Sequence, residues 1–319
     1  MNNRFLHSLK SFIMRSRFRL IIPVTAVLLA LVLLLISTDC FFGVNTRSIR
    51  SFFGQGEFSW SADGYPLSVH YIDVGSGDSI LICCEGRYAL IDTGSNSLHG
   101  TAKRYLKSLG VEELELFIAS HGDSDHIGDF SSIADSFRIN NVLVSGYEDT
   151  GELTPAQKSF YEKTEEYSIN TVTAAVSGFT LGSAKLRILS PKKKYKSSNN
   201  NSLVIRLEYK DSSFLFTGDM GSQAEEELLD SGEDISSDVL KISHHGSRYS
   251  TTQAFYDAVA PSYTVISASR YDDKHPDREV VSRIESSGAV ILRTDIQGSI
   301  IIATDGTTIK TYTQKNTPL

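Results

Sequence analysis

The sequence predicts an α/β fold in which two mixed β-sheets lie face to face and helices cover their outer sides. Three observations carry this expectation. Short apolar or alternating runs of strand length recur from residue 67 onward, many of them bounded by Gly, Asn or Asp. Between them stand segments with apolar residues at helical spacing, and the alternation fills both halves of the chain. With 40% hydrophobic and 22% charged residues among 319, the chain has enough apolar side chains for a large core, which excludes a mainly disordered state.

The chain opens on a basic tail, residues 1–19, that ends in Arg15, Arg17 and Arg19. Directly after it comes LIIPVTAVLLALVLLLI (20–36), an uncharged run of 17 residues, at the short end of what spans a bilayer. Arginines on that flank predict a cytoplasmic tail, so the expectation is a single-pass anchor in the cell membrane with the rest of the chain extracytoplasmic. A cleaved signal peptide is the competing reading. The residues after the run offer no small-x-small cleavage site, and Asp39 before Cys40 fits a lipoprotein signal poorly. Residues 37–65 read as a tether and 66–312 as the folded domain.

In that domain LSVHYIDV (67–74), SILICCE (79–85) and YALIDTG (88–94) read as strands joined by Gly-containing turns. LHGTAKRYLKSLG (98–110) has helical spacing and stops at Gly110. ELELFIAS (113–120) reads as one buried strand, IGDFSSIADSF (127–137) as one helix, NNVLVS (140–145) as a strand, and TPAQKSFYEKTEEY (154–167) as an amphipathic helix. The second half continues with strands at TVTAAV, KLRILS, SLVIRLEY and SFLFTGD, then a helix at SQAEEELLDS. DVLKISHHG, the helix TTQAFYDAVA, the strand YTVISAS, the helix DREVVSRIESSG and the strands AVILRT and GSIIIAT complete it.

Charge and cysteine content exclude several classes. Residues 1–50 hold seven of the basic side chains and one acid, leaving 24 basic and 37 acidic residues in 51–319, a net of −13. A body this acidic argues against avid, non-specific nucleic-acid binding; the local exception is the run Lys192-Lys193-Lys194-Tyr195-Lys196, which reads first as a solvated loop. Three cysteines, two of them adjacent (Cys83, Cys84), exclude a disulfide scaffold and a Cys-rich zinc module.

Four polar clusters close apolar strands, where α/β folds build their sites. Ser120-His121-Gly122-Asp123-Ser124-Asp125-His126 packs two imidazoles and two carboxylates into one turn, a donor set suited to a divalent metal. An acidic helix-capping loop would use Asp123 but leaves the two flanking histidines unexplained. Thr217-Gly218-Asp219 follows SFLF and by itself reads as a turn. Ser243-His244-His245-Gly246-Ser247 closes another strand, and His275-Pro276 lies beside Asp272, Asp273 and Lys274. His70, within a strand, and His99, opening a helix, read as structural.

HYIDVGSGDSILI, YALIDTG, SHGDSDHIGD, NNNSLVIRLEY, FLFTGD, LKISHHGS and HPDREV occur in this order. The set resembles the metallo-β-lactamase-fold hydrolases, and within them the β-lactamase-like domain of ComEC-type competence proteins, over residues 66–305. The resemblance implies an αββα sandwich. In the family's HxHxDH loop His121, Asp125 and His126 match, and Asp123 replaces the second His. Asp219 matches the metal-bridging aspartate. His275 is the positional match for the closing histidine ligand, with His244 and His245 as alternatives. The family places another ligand histidine between that loop and the bridging aspartate, but no histidine lies between His126 and His244, and Asn199-Asn200-Asn201 occupies the interval. The oxygen-rich donor set that remains points to manganese, or a mixture of Mn and Zn, as one or two ions.

The implied chemistry is hydrolysis by metal-activated water. Asp125 and Asp123 would orient it, and His245 or a neighbouring histidine would stabilise the charge that develops. His244, Ser247 and Asn201 would meet the substrate; Asp73 and Asp78 would support the ligands from behind. The expected substrate is DNA outside the membrane, with uptake-channel proteins as partners, since one apolar run cannot form the many-spanned channel of a full ComEC protein. Two other readings stand beside it: a hydrolase of a small ester, lactone or amide, and a membrane-tethered binding module that kept the fold and lost a metal. No oligomeric state follows from the sequence.

Overall fold

The structure, a computed structural model, describes residues 64–315 except 99 and 148–151. The expected tail, anchor and tether lie outside the described residues, apart from the tether's last two positions, as does His99. Among the described residues no helix is long and apolar enough to cross a membrane.

In chain order the strands are β1 (Leu67–Tyr71), β2 (Ile80–Cys84), β3 (Arg87–Ile91), β4 (Glu113–Leu114), β5 (Leu116–Ile118), β6 (Arg138–Ile139), β7 (Asn141–Val144) and β8 (Asn170–Thr173). The second half adds β9 (Gly178–Leu181), β10 (Ala184–Ser190), β11 (Val204–Tyr209), β12 (Ser212–Phe216), β13 (Val239–Lys241), β14 (Tyr263–Ile266), β15 (Val290–Arg293), β16 (Ile300–Thr304) and β17 (Ile309–Thr313). Among the described residues one sheet has eight strands in the order β17-β16-β1-β2-β3-β5-β7-β8, the other seven in the order β15-β14-β13-β12-β11-β10-β9; β4 and β6 form a short separate pair. Each sheet is mixed: β1, β2 and β3 pair antiparallel while β3, β5, β7 and β8 run parallel, and β9 to β12 are antiparallel while β12 to β15 are parallel.

Period-2 alternation decides which side chains fill the space between the sheets. Leu67, Val69 and Tyr71 of β1, Ile80 and Ile82 of β2, Ile205 and Leu207 of β11, and Phe214 and Phe216 of β12 all join one central core. The intervening residues point outward. Leu81 and Leu90 pack in a second cluster with Leu106, Phe130 and Phe160, while Val204, Leu215 and Leu240 pack in a third with Phe255, Val280 and Ile284. Three apolar layers with helices on both outer faces make an αββα sandwich.

The helices are α1 (Thr101–Ser108), α2 (Ser124–Ile127), α3 (Phe130–Ala134), α4 (Pro155–Glu166), α5 (Ser222–Asp230), α6 (Gln253–Val259), α7 (Arg278–Ser287) and α8 (Thr294–Gln297). Their ends follow local chemistry. A capping box between Thr154 and Gln157, with Pro155 in the first turn, starts α4. Asp277 caps α7, and Gly288 at φ +79° ends it.

Two expected elements split. ELELFIAS divides because Glu113 and Leu114 pair with β6 while Leu116–Ile118 pairs with β3 and β7. The helix expected at 127–137 breaks at Gly128-Asp129. There the Asp129 amide turns towards the Gly94 carbonyl (3.3 Å) and the Thr93 hydroxyl (3.2 Å), and its carboxylate accepts from the Gly100 amide (2.9 Å). Tertiary bonds to the loop after β3 replace the helical ones. TVTAAV extends as strand only to Thr173, and β9, α8 and the edge strand β17 carried no sequence signal strong enough to single out.

Candidate metal centre

The loops that follow β3, β5, β12 and β13 gather Asp92, His121, Asp123, Asp125, His126, Asp219, His244 and His245 at one rim of the sandwich. Asp219 is the hub. Its Oδ2 lies 3.3 Å from His126 Nε2, 3.7 Å from His244 Nε2 and 4.0 Å from His121 Nε2; its Oδ1 lies 3.6 Å from His245 Nε2. Asp125 Oδ2 stands 3.6 Å from His245 Nε2 and 3.9 Å from His126 Nε2, and Asp123 Oδ2 is 3.5 Å from His121 Nε2. The ligand atoms of Asp125, His126, Asp219 and His245 all lie within 4.8 Å of one another.

Helix capping does not explain this loop. Asp123 is the N-cap of α2, yet its side chain makes no capping bond and faces His121 instead. The imidazoles are held from behind. His126 Nδ1 donates to Asp92 Oδ2 (2.8 Å) and His245 Nδ1 to the Ser267 carbonyl (3.0 Å). An ionised carboxylate and a carbonyl only accept, so both rings carry a proton on Nδ1 and present Nε2 to the cluster. Asp92 also accepts from Ser120 N (2.8 Å) and Oγ (2.6 Å), which fixes the start of the His121–His126 loop.

The fit to a metal rests on what these atoms lack. Nε2 of His121, His126 and His245 and Oδ1 of Asp219 are buried without a hydrogen-bond partner. Leaving even one buried polar atom unpaired costs about 1–3 kcal/mol, so four of them aimed at a common centre are the mark of a cation site. Burial disfavours charge on Asp219, His126 and His245, but the facing charges outweigh it. Asp219 is held well below the usual carboxylate range by His126 and His245; His126 is raised well above the usual imidazole range by Asp219 and Asp92, and His245 is raised by Asp219 and Asp125.

The backbone is strained to achieve this. His244 and His245 sit at φ +49° and +54° and Asp92 at +57°, left-handed conformations that non-glycine residues seldom adopt. Gly77 at φ +113° lets the 75–78 turn touch the metal loop: a Cβ there would meet the Asp125 carbonyl oxygen at 1.9 Å.

Other expected site residues are placed differently. His275, the positional match for the closing ligand, stands outside the cluster: its Nδ1 bonds Asp272 Oδ2 (3.0 Å) and its ring stacks on His244 at 5.7 Å. His245 occupies the place facing Asp125 and Asp219. Asn201 does not face the centre; its amide clamps the preceding loop through Tyr195 N, Tyr195 O and Ser197 O. Asn199 is the asparagine that reaches the site, with Nδ2 3.4 Å from His244. Ser247 is buried and closes the turn after the histidines, donating its amide to the His244 carbonyl. Asp73 accepts from the Gly75 amide within its own turn.

Asp78 does lie behind the centre, 3.8 Å from His245 Nδ1, and pairs with the fully buried Lys241 (2.8 Å). Asp92 and Lys241 are the two residues sequence reasoning passed over. The available signal was a charged residue closing or ending an otherwise apolar strand.

Imidazoles and carboxylates converging at the strand-end rim of an αββα sandwich define a metallo-hydrolase fold. The chain belongs to the metallo-beta-lactamase superfamily, whose family model matches residues 72–270. Its sequence is similar to that of competence protein ComA of Neisseria gonorrhoeae, 32% identical over 234 residues that cover 72% of this chain and 31% of the relative. It is 28% identical over 256 residues to ComE operon protein 3 of Bacillus subtilis, covering 73% and 32%. The chain thus spans about a third of the length of these curated relatives. Among solved structures, CmlA, a diiron β-hydroxylase from Streptomyces venezuelae, superposes with a TM-score of 0.51 over 75% of this chain and 54% of its own at 14% identity, a likeness of fold alone.

Proposed function

We propose that this chain is a metal-dependent phosphodiesterase that cleaves DNA on the outer side of a membrane. The observation that carries the hydrolytic part is the set of unpaired Nε2 atoms and the Asp219 carboxylate facing one another in the core of the site. Asp125, His126, Asp219 and His245 would hold a divalent cation, whose Lewis acidity would bring the pKa of water down to about 7. Asp123 and Asp125, the cluster members whose side chains are most open to solvent (42% and 36%), orient the attacking water. Asp219, gripped from the core, and the Nδ1 bonds to Asp92 and Ser267 hold the donors in register. The mixed nitrogen and oxygen donor set favours manganese over a tight zinc pair.

DNA as the substrate is supported by similarity to competence proteins and by the basic run at 192–196. That run precedes Asn199, whose Nδ2 lies 3.4 Å from His244, and within it Lys193 is paired with Glu227. The uncharged run at 20–36 supports a membrane anchor, and similarity to a competence protein supports a role beside uptake-channel proteins.

The test is metal analysis of the purified full chain coupled to cleavage of single-stranded DNA. Mn²⁺-dependent cleavage that disappears in Asp219→Ala is the expected outcome. Turnover of chromogenic esters or lactones with DNA left intact would transfer the site to small-molecule hydrolysis, and stoichiometric tight zinc would overturn the metal assignment.

A further inference from the structure

We propose that Glu225 is a positioning residue of the metal centre. Through the turn at Thr251 and Thr252 it holds the strained His244–His245 backbone in the conformation that faces His245 Nε2 towards Asp219. The inference rests on the metal centre described above and not on the identity of the substrate.

Glu225 stands in the first turn of α5, the helix that begins at Ser222, directly after the Asp219 turn. It is fully buried, which is rare for a glutamate unless its charge is matched. One carboxylate oxygen accepts from the Thr251 amide and the other from the Thr252 amide, the latter at 2.8 Å. Both donors are backbone groups, so one side chain fixes two successive peptide units. Arg283 of α7 donates to the Thr251 carbonyl, so the amide and the carbonyl of this one residue are both held by charged side chains.

Thr251 carries that grip to the histidines. Its hydroxyl oxygen accepts from the Ser243 amide (3.2 Å), and Ser250 Oγ donates to the Ser243 carbonyl (3.0 Å). Both backbone polar groups of Ser243, the residue before the histidine pair, are thus met from 250–251. Between these ends the chain closes on itself: the Ser247 amide donates to the His244 carbonyl (2.8 Å) and the Ser250 amide to the Ser247 carbonyl (3.1 Å). His244, His245 and Thr251 all lie in the left-handed region, at φ +49°, +54° and +48°. Residues other than glycine persist there only where their surroundings hold them.

The same contacts lace the histidine turn to the Asp219 turn. The His244 amide donates to the Gly218 carbonyl (3.1 Å), and the Ser222 amide at the start of α5 donates to the Tyr249 carbonyl (3.0 Å). Glu225 completes the lacing from within α5, so the distance between Asp219 and His245 depends on its two bonds. Glu225→Gln keeps the shape of the side chain but turns an NH₂ donor towards an N–H donor, which releases one of the two peptide units. The left-handed backbone can then relax, and His245 loses its fixed direction.

Metal affinity and ligand geometry, read together, test this. The full chain as wild type, Glu225→Gln, Arg283→Gln and Leu228→Ala is titrated with Mn²⁺ against a chelator and with Co²⁺, whose visible absorption reports the arrangement of its ligands. Thermal unfolding of the metal-free chains is measured alongside. Glu225→Gln is expected to lose about 10-fold or more in Mn²⁺ affinity and to shift the Co²⁺ bands. Arg283→Gln loosens the same peptide unit from a half-buried position, and is expected to move both readouts the same way by less. Leu228→Ala removes buried apolar contacts from the same helix; it should lower the melting temperature and leave affinity and bands at their wild-type values. Unchanged affinity and bands in Glu225→Gln, or equal changes in Leu228→Ala, overturn the inference. If Glu225→Gln does not fold, Arg283→Gln decides by the same two readouts. A wild-type chain that takes up neither cation overturns the metal centre and this inference with it.

Discussion

Asp92 and His126 share a buried hydrogen bond of 2.8 Å, and neither side chain has any solvent exposure. The bond fixes which nitrogen of His126 carries its proton and therefore which one faces Asp219. Asp92→Asn removes the charge while nearly keeping the shape, so the amide can still meet Ser120. Such a partner typically contributes 10- to 100-fold to metal affinity, and a loss of about that size is expected, with the fold intact. A chelator-competition titration measures it; unchanged affinity would show that Asp92 serves only the Ser120 turn.

Gly77 ties the 75–78 turn to the metal loop at the Asp125 carbonyl. Gly77→Ala places a methyl where that oxygen sits, on a backbone at φ +113° that L residues resist. The loop must move, and Asp125 moves with it. The expected result is a fall in retained metal together with a lower melting temperature. A serine at Gly86, where a Cβ meets nothing within 4 Å, is the contrasting surface change at another positive φ and should leave metal content alone.

Lys241 and Asp78 form an ion pair with both side chains essentially out of water. Burial pushes the Asp78 carboxyl up, but the Lys241 ammonium and the nearby His245 hold it below its ordinary value. Lys241→Met strands that carboxylate, at a cost of about 3–5 kcal/mol near neutral pH. A carboxylate with a depressed folded-state pKa stabilises the protein above its unfolded-state value, and that contribution is lost as pH falls through the folded-state value. The gap between wild type and Lys241→Met in urea unfolding should therefore narrow on acidification. The double change Asp78→Leu with Lys241→Met should recover most of the loss; no recovery would mean the packing around Lys241, not the pairing, sets the cost.

Much of this architecture was legible in the residues, for identifiable reasons. Strands such as SFLFTGD and SILICCE show their inward and outward faces directly, because period-2 alternation survives any tertiary context. The His121–His126 loop was legible because four donors in one turn have no common structural use. What failed depended on distance through space. The break at Asp129 arises from bonds to Gly94 and Thr93, more than thirty positions earlier. The choice between His275 and His245 turns on a strained backbone at His244 and His245 that no local pattern announces. Asn201 was expected at the site because of its position in an asparagine run, yet a two-residue offset decides whether an amide clamps the loop or reaches His244.

Proton and metal compete for the same atoms. Burial favours the neutral rings of His126 and His245, but the facing carboxylates of Asp219, Asp92 and Asp125 raise both above the ordinary imidazole range, His126 by the larger margin. The raised proton affinity of these rings means that protons compete with a cation for their Nε2 atoms. Because the pKa values are raised, lowering the pH strengthens the competitor. Metal affinity should fall as the solution is acidified, and uptake should release protons in a number that grows as the pH is lowered. Titration calorimetry of Mn²⁺ in buffers of different ionisation enthalpy reads that number directly. His245→Ala removes one of the two proton holders along with a donor, so it should lower both the affinity and the count of protons released. An affinity independent of pH would mean that the rings meet the metal already deprotonated, and that Asp219 does not hold protons on them.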